Sequence, residues 1–353
     1  MLNKFMMVQL PVMCIALLAA SASADNAPSP SKLVNVLFSD YNSGTPGCAV
    51  AVDRNGDFLH LAGYGMADLE QGTPITPETV FYAASVSKQV VAMAALILEQ
   101  QGTIGFDVPV RNYLPQLPAY AERITTAQLL LHVSGIRDFF RLFSLAGKPD
   151  DHVVSEDGIM QILAMQKGLG FEPGERWAYS NSAYFLISQI VKETDGRNLN
   201  EFAQDTIFKP LGMHSSRFQH NHRHLIPRKA HGYELSAGSQ YLLSDSTLDV
   251  VGSGGMYTTV LDLVKWSRNL QKNALFGGPA VVERMETSGV LNSGEATNYG
   301  FGVRLEPYRG LKVRSHSGSL SGYRAHLMRF PEQDFIIALL CNDGAANAPA
   351  IAR

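Results

Sequence analysis

Apolar residues alternate with polar ones toward both ends of the chain and recur at three- and four-residue intervals through its middle. Residues 47–67 predict a hairpin. The run Cys48-Ala49-Val50-Ala51-Val52 comes first, Asp53-Arg54-Asn55-Gly56-Asp57 makes the turn, and residues 58–64 return. The period then changes. Over 85–101 the apolar positions Val86, Val90, Val91, Ala94, Ala95 and Leu98 have helical spacing, and Gly102 is placed as a stop. Helical signals continue at 127–131, 157–165, 182–193 and 199–207, separated by Pro and Gly. Met256 is expected to begin another helix, with Thr258-Thr259 ahead of Leu261-Asp262-Leu263-Val264-Lys265-Trp266. Strand signals resume at 301–305, 310–314, 325–330 and 335–341, and the last residues read as the opening of a helix. Residues 25–32, with Pro28 and Pro30, read as a linker.

Strands at both ends around a helical middle imply an α/β (α+β) fold. One antiparallel sheet is built from both termini and flanked by helices, with a mainly helical subdomain inserted. The expected boundaries are a single domain over 25–353, with a sheet subdomain at about 33–84 and 240–353 and a helical subdomain at about 85–239. No internal repeat or low-complexity tract is present.

The first 24 residues read as an export signal. Lys4 is the positive start, the apolar run 12–20 is too short to span a bilayer, and Ala22-Ser23-Ala24 places cleavage before Asp25. The expected location is periplasmic or secreted, with no stable membrane span after cleavage. Cys14 follows Met13 rather than a small residue, which argues against a lipid anchor. Export leaves Cys48 and Cys341, both in strand-like runs. An oxidising compartment permits a bridge, but two buried free thiols is the simpler expectation.

Composition narrows the function. The 353 residues are 46% hydrophobic and 17% charged with a formal net charge of -3, so the chain is a globular protein with a large core. It has no Lys/Arg-rich run, which excludes nucleic acid as a main partner. Three Cys exclude a disulfide scaffold and a Cys-rich zinc module.

Three short patterns carry candidate chemistry. In Ser85-Val86-Ser87-Lys88, at the start of the first strong helix, the spacing puts Lys88 over Ser85. A helix-start serine has free N–H groups beside it, so base and oxyanion donors are both within reach. The same spacing in Ser29-Pro30-Ser31-Lys32 shows that it is weak alone. Trp177-Ala178-Tyr179-Ser180-Asn181 offers a phenol whose pKa a nearby ammonium would lower, and an amide able to bond Lys88 and a substrate. In His316-Ser317-Gly318-Ser319 the glycine permits close backbone approach, and the Ser319 N–H is a second oxyanion donor.

In this order, Ser85-x-x-Lys88, Tyr179-x-Asn181 and His316-x-Gly318 resemble the serine β-lactamase and penicillin-binding-protein superfamily. The likeness is to its class C-like branch of β-lactamases, D-aminopeptidases, D-alanyl-D-alanine carboxypeptidases and Ser-x-x-Lys esterases. Supporting matches are Phe81-Tyr82-Ala83-Ala84, Leu129-Leu130-Leu131-His132-Val133-Ser134-Gly135, Pro210-Leu211-Gly212-Met213 and Gly252-Ser253-Gly254-Gly255-Met256. The resemblance implies Ser85 as the acylated nucleophile and Lys88 with Tyr179 as the proton-handling pair, with the base left open between them. It implies an oxyanion hole from the backbone N–H groups of Ser85 and Ser319. Asn181, His316 and Gly318 would serve binding and support. No cofactor or metal is implied. The implied substrate is a small molecule or peptide, cell-wall peptide included.

One departure is chemical. Class C β-lactamases carry Lys-Thr-Gly where this chain has His316-Ser317-Gly318, and a histidine is mostly neutral near pH 7. This disfavours β-lactams and free peptide C-termini as ligands. The expected function is an exported serine hydrolase acting on an ester or a D-amino-acid amide. A true β-lactamase or D-alanyl-D-alanine carboxypeptidase ranks second, and a penicillin- or peptidoglycan-binding module with little turnover third. His220-x-His222-x-His224 is the alternative metal reading, disfavoured by Arg223 and Arg228 beside it.

Overall fold

The computed structural model describes residues 29–149, 152–272 and 275–353. The proposed signal, residues 1–24, lies outside the described residues. Five antiparallel strands form the main sheet: β1 (Cys48–Arg54), β2 (Asp57–Tyr64), β3 (Arg314–Leu320), β4 (Tyr323–Phe330) and β5 (Phe335–Cys341). Their order is β3-β4-β5-β1-β2, so the sheet joins both ends of the chain, and β3 is an edge. The turn between β1 and β2 is tighter than expected. It uses Asn55 and Gly56, with φ of 55° and 98°, a pairing whose twist matches the flanking strands.

Alternation along the strands gives the sheet two buried faces. Ala49, Ala51, Leu327, Ala338 and Leu340 face helix Val260–Lys272 and share one hydrophobic cluster with helix Lys88–Gln100. Val50, Val52, Met328, Phe330 and Leu339 pack on a second cluster with Val34, Phe38 and Ala348. Helix Lys88–Gln100 is buried all along from Lys88 to Leu98, which suits its place among helices Asn181–Asp195, Leu199–Ala203 and Pro279–Met285. Among the described residues no helix is long and apolar enough to cross a membrane.

Several local expectations need correction. The stretch read as a linker at 25–32 enters helix Pro30–Leu37, capped by Ser29 with Pro30 in its first turn. Met256 does not begin a helix. Met256–Thr258 is a strand between Phe81–Tyr82 and Arg217–Phe218, and the helix starts at Val260. Residues 301–305 and 310–314 are not strands beyond isolated bridges, and the strand there is β3. The cause is visible at Gly302. Its φ is 73°, and a Cβ there would lie 2.6 Å from the Lys88 carbonyl, so the chain must turn against the central helix. Helix Phe139–Leu145 was not anticipated.

Cys48 and Cys341 are joined in a disulfide, which corrects the expectation of free thiols. They face each other in the β1–β5 register on one side of the sheet. Strand pairing brings the two sulfurs together although 293 residues separate them.

Candidate active site

The small sheet Phe81–Tyr82, Met256–Thr258 and Arg217–Phe218 sets the position of Ser85. The Ala83 N–H donates to the Met256 carbonyl, and the Met256 N–H donates to Ser87 Oγ. Ser85 does not sit in the α-helix itself. It lies in the tight turn Ala84–Ser87, and the α-helix begins at Lys88. Ala84, directly before the serine, has φ of 47°, a left-handed conformation costing on the order of 1 kcal/mol or more for a residue with a Cβ. The surrounding packing therefore holds the serine's backbone in a shape it would not choose alone.

Lys88 is fully buried, at 0% exposure. Its Nζ lies 3.1 Å from Ser85 Oγ, 3.1 Å from Asn181 Oδ1 and 2.5 Å from the Ser253 carbonyl oxygen. Burial lowers its pKa from 10.5 to about 7, against an opposing pull from Asp138. Asn181 is the first residue of helix Asn181–Asp195, which Ser180 caps through the Ala183 N–H.

The Tyr179 ring lies beneath Lys88, with Nζ 4.8 Å from its centroid. The phenol pKa is raised rather than lowered. Burial holds the Tyr179 hydroxyl well above its ordinary value, with Ser85 easing the rise in part. Near Ser85, that hydroxyl makes no hydrogen bond of ordinary geometry among the described residues, which leaves its proton available to a substrate. His132 supports the segment. Its Nδ1 accepts the Ser180 N–H at 3.2 Å, and its ring centroid is 4.3 Å from that of Tyr179.

His316 is buried on β3. Its Nδ1 bonds the Ser317 carbonyl at 2.7 Å, which fixes the proton there, so Nε2 accepts from the Tyr299 hydroxyl at 2.9 Å. Burial and the Lys88 charge push its pKa down to about 3. His316 is a neutral wall of the site. Gly318 lets β3 press against the nucleophile turn: a Cβ there would lie 2.3 Å from the Ala83 carbonyl and 3.1 Å from the Ser85 nitrogen. Ser319, next along this edge strand, is exposed.

These residues line one cleft of about 390 Å³. Ser85, Tyr179, Asn181, Ser253, His316 and Ser319 all reach it. Residues that the sequence did not mark reach it too. Arg304 brings a guanidinium, stacked 5.6 Å from the Trp177 ring centroid, and Phe140, Leu248 and Leu320 bring apolar surface. Arg304 is bonded to Ser315 at the start of β3 by two backbone hydrogen bonds, whereas Leu320 ends that strand. Leu320 lies five residue steps along the strand from Ser315, roughly 16 Å. Arg304, which also pairs with Glu306 at 3.4 Å, thus joins the cleft wall toward one end of β3 and Leu320 toward the other. Asp138, which holds Asn181, was missed as well. Its capping position before helix Phe139–Leu145 was the available signal, whereas Arg304 sits in a stretch that reads as an ordinary strand.

The three histidines of 220–224 do not join this site. His220 Nδ1 lies 3.3 Å from Asn200 Oδ1, and His222 bonds Asp249. Among the described residues no group of three His, Cys, Asp or Glu side chains is placed to hold a metal ion.

Residues 34–353 match the family described as Beta-lactamase. The chain is 30% identical to penicillin-binding protein 4* of Bacillus subtilis over 311 residues, 83% of this chain and 67% of that protein. It is 28% identical to the D-aminopeptidase of Gluconobacter oxydans over 309 residues, 87% of this chain but 58% of that protein. The chain thus spans little more than half the length of that relative. Among solved structures, the octameric penicillin-binding protein homologue from Pyrococcus abyssi superposes with a TM-score of 0.79 at 26% identity, covering 91% of this chain and 74% of that one.

Proposed function

We propose, for a chain that belongs to the beta-lactamase family, that it hydrolyses an amide or ester of D-amino-acid type through a Ser85 acyl-enzyme. The observation that carries this is the threefold environment of the Lys88 amine. A neutral amine has two hydrogens and one lone pair. Two carbonyl oxygens, of Asn181 and Ser253, stand ready for the hydrogens, and the third neighbour is Ser85 Oγ. With both hydrogens given to the carbonyls, the lone pair faces the serine hydroxyl. Lys88 is then the base, and the raised pKa of Tyr179 keeps that residue a hydroxyl rather than a phenolate.

Acylation follows from this placement. The Ser85 proton passes to Lys88 as Oγ bonds the substrate carbonyl carbon. The negative charge on the carbonyl oxygen is received by the backbone N–H groups of Ser85 and Ser319. As the bond to the leaving group breaks, that group takes a proton from the Lys88 ammonium, with the Tyr179 hydroxyl as the bridge. Water then attacks the acyl-enzyme by the same route, releasing the acid and restoring Ser85. Asn181, His316 and Gly318 hold the parts in register.

The D-amino-acid preference is supported by the likeness to the D-aminopeptidase. It is tested with D-alanine p-nitroanilide against its L isomer, p-nitrophenyl acetate and benzylpenicillin. Faster turnover of the D isomer than of the L isomer supports the reading; equal rates, or turnover of the ester alone, would remove it.

A second reading, a carboxypeptidase-like preference for substrates with a free carboxylate, is favoured by Arg304. The sequence left the cleft without a permanent cation, but this guanidinium supplies one. Arg304→Ala is expected to raise KM roughly tenfold or more for peptides whose leaving group carries a carboxylate, the scale of a charged hydrogen bond at about 1.5–3 kcal/mol. The effect on p-nitrophenyl acetate, which has no carboxylate, should be smaller. Equal effects on both substrates would set this reading aside.

We also infer export. The pattern of residues 1–24 and the Cys48–Cys341 pairing both suit an oxidising compartment. Intact mass of the protein expressed with its own N-terminus should show a chain starting at Asp25, with no thiol alkylated before reduction and two alkylated after it. A cell-retained chain starting at Met1 with free thiols would overturn both parts.

A further inference from the structure

The direction of the Asn181 amide decides what Lys88 does with its lone pair. An amide has an acceptor arm and a donor arm that differ little in shape. With Oδ1 toward Lys88, Asn181 takes an amine hydrogen. Turned over, its NH2 would offer a hydrogen to the amine instead, and the lone pair would be spent on Asn181 rather than on Ser85. Among the described residues, the other contacts of Lys88 do not choose between these two arrangements.

Asp138 makes the choice. Its Oδ2 accepts the Asn181 backbone N–H at 2.6 Å and the side-chain Nδ2–H at 3.0 Å. A carboxylate offers acceptors only, so it can face the donor arm and not the acceptor arm. Its other oxygen accepts the Phe140 N–H at 3.1 Å and caps helix Phe139–Leu145. Asp138 is thus anchored on one helix start and grips the start of another.

We propose that Asp138 is a positioning residue that locks the Asn181 amide with its oxygen toward Lys88 and thereby aims the Lys88 lone pair at Ser85. This rests on Lys88 being the base, as argued above. The carboxylate also acts on Lys88 through space. Among the described charged groups, Asp138 is the one whose charge favours the Lys88 ammonium. The Tyr179 and Tyr184 rings lie 4.8 and 5.5 Å from Nζ. Both tyrosines are held as hydroxyls by burial. His132 and His316 are held neutral by burial and by Lys88 itself.

The test uses a fluorophosphonate probe, whose covalent attachment to Ser85 needs the activated hydroxyl and no knowledge of the substrate. In that step the Oγ–P bond forms, fluoride leaves, and the serine proton goes to Lys88. Labelling rates are followed by intact mass from pH 5 to 10 for wild type, Asp138→Asn and Asp138→Ser. The serine variant keeps a capping side chain, so the helix start is retained. In the wild type the rate should rise with pH through about 7.

Both variants should label about a hundredfold more slowly at the plateau, the scale of a general base that is misdirected. Their rise should also move to lower pH, because the charge favouring the ammonium is gone. Wild-type rates in both variants, or slow labelling with an unmoved pH rise, would overturn the role of Asp138. A wild type with no rise near pH 7 would instead overturn Lys88 as base.

Discussion

Ser85→Ala should abolish hydrolysis of every substrate and labelling by fluorophosphonate, while the protein melts close to the wild-type temperature. The two halves of this result have separate causes. The chemistry depends on one oxygen, because the cleft offers no second hydroxyl within reach of Lys88 Nζ among the described contacts. The tyrosine hydroxyl beside it has a raised pKa and is a poor nucleophile. A loss on the order of 10⁴-fold or more is expected, as for other activated serines. Stability should change by about 1 kcal/mol or less, because one partly buried hydrogen bond is lost and Lys88 keeps both carbonyl partners. Turnover surviving in the alanine variant would remove Ser85 from the mechanism altogether.

Lys88→Met should do something less usual: slow the reaction by roughly 10²–10⁴-fold and make the protein more stable. Methionine fills a similar space without a charge. The gain has a definite pH dependence. The folded protein holds the Lys88 pKa at about 7 against 10.5 for the free side chain. Between these values the unfolded chain binds the proton and the folded one does not, so stability rises with pH across that window. At pH 7 and below, the folded protein carries a buried ammonium, and the cost is at its fullest, on the order of a few kcal/mol. Methionine removes that cost, but it orphans the Asn181 and Ser253 oxygens at every pH. The melting-temperature difference between variant and wild type should therefore be larger at pH 6 than at pH 10. An equal difference at both values would show that the lysine is not held near neutrality.

The legible part of the site was the part held by local geometry. Ser85 and Lys88 are three residues apart on one helical turn, so their contact is a local one that the spacing made readable. Tyr179 and Asn181 are two apart at the start of helix Asn181–Asp195, so they too are neighbours in sequence. Asp138, Arg304 and Tyr299 act on partners far along the chain, and no periodicity records such pairs. The fold shows the same division. The β1–β2 hairpin and the helix from Lys88 are local and were readable. Residues 301–305 alternate like a strand, but Gly302 is pressed onto the Lys88 backbone, and tertiary contact overrides the pattern there. At Ser29-Pro30 the opposite happened. Cap and first-turn proline were both present, but the polar, proline-rich surroundings suggested a linker.

The pairing of β1 with β5 also governs the order in which the molecule is assembled. Strand β1 appears early in synthesis, but its neighbour at the sheet centre is made only after nearly 300 further residues. Until then one edge of β1 stands open, and unpaired edges invite association with other chains. The local helices have no such wait and will form first. Sheet closure, with its long loop, is then expected to be slow. Such a chain is open for most of its synthesis, the state in which it can still be threaded or chaperoned, and it becomes a closed body only when β3 to β5 arrive.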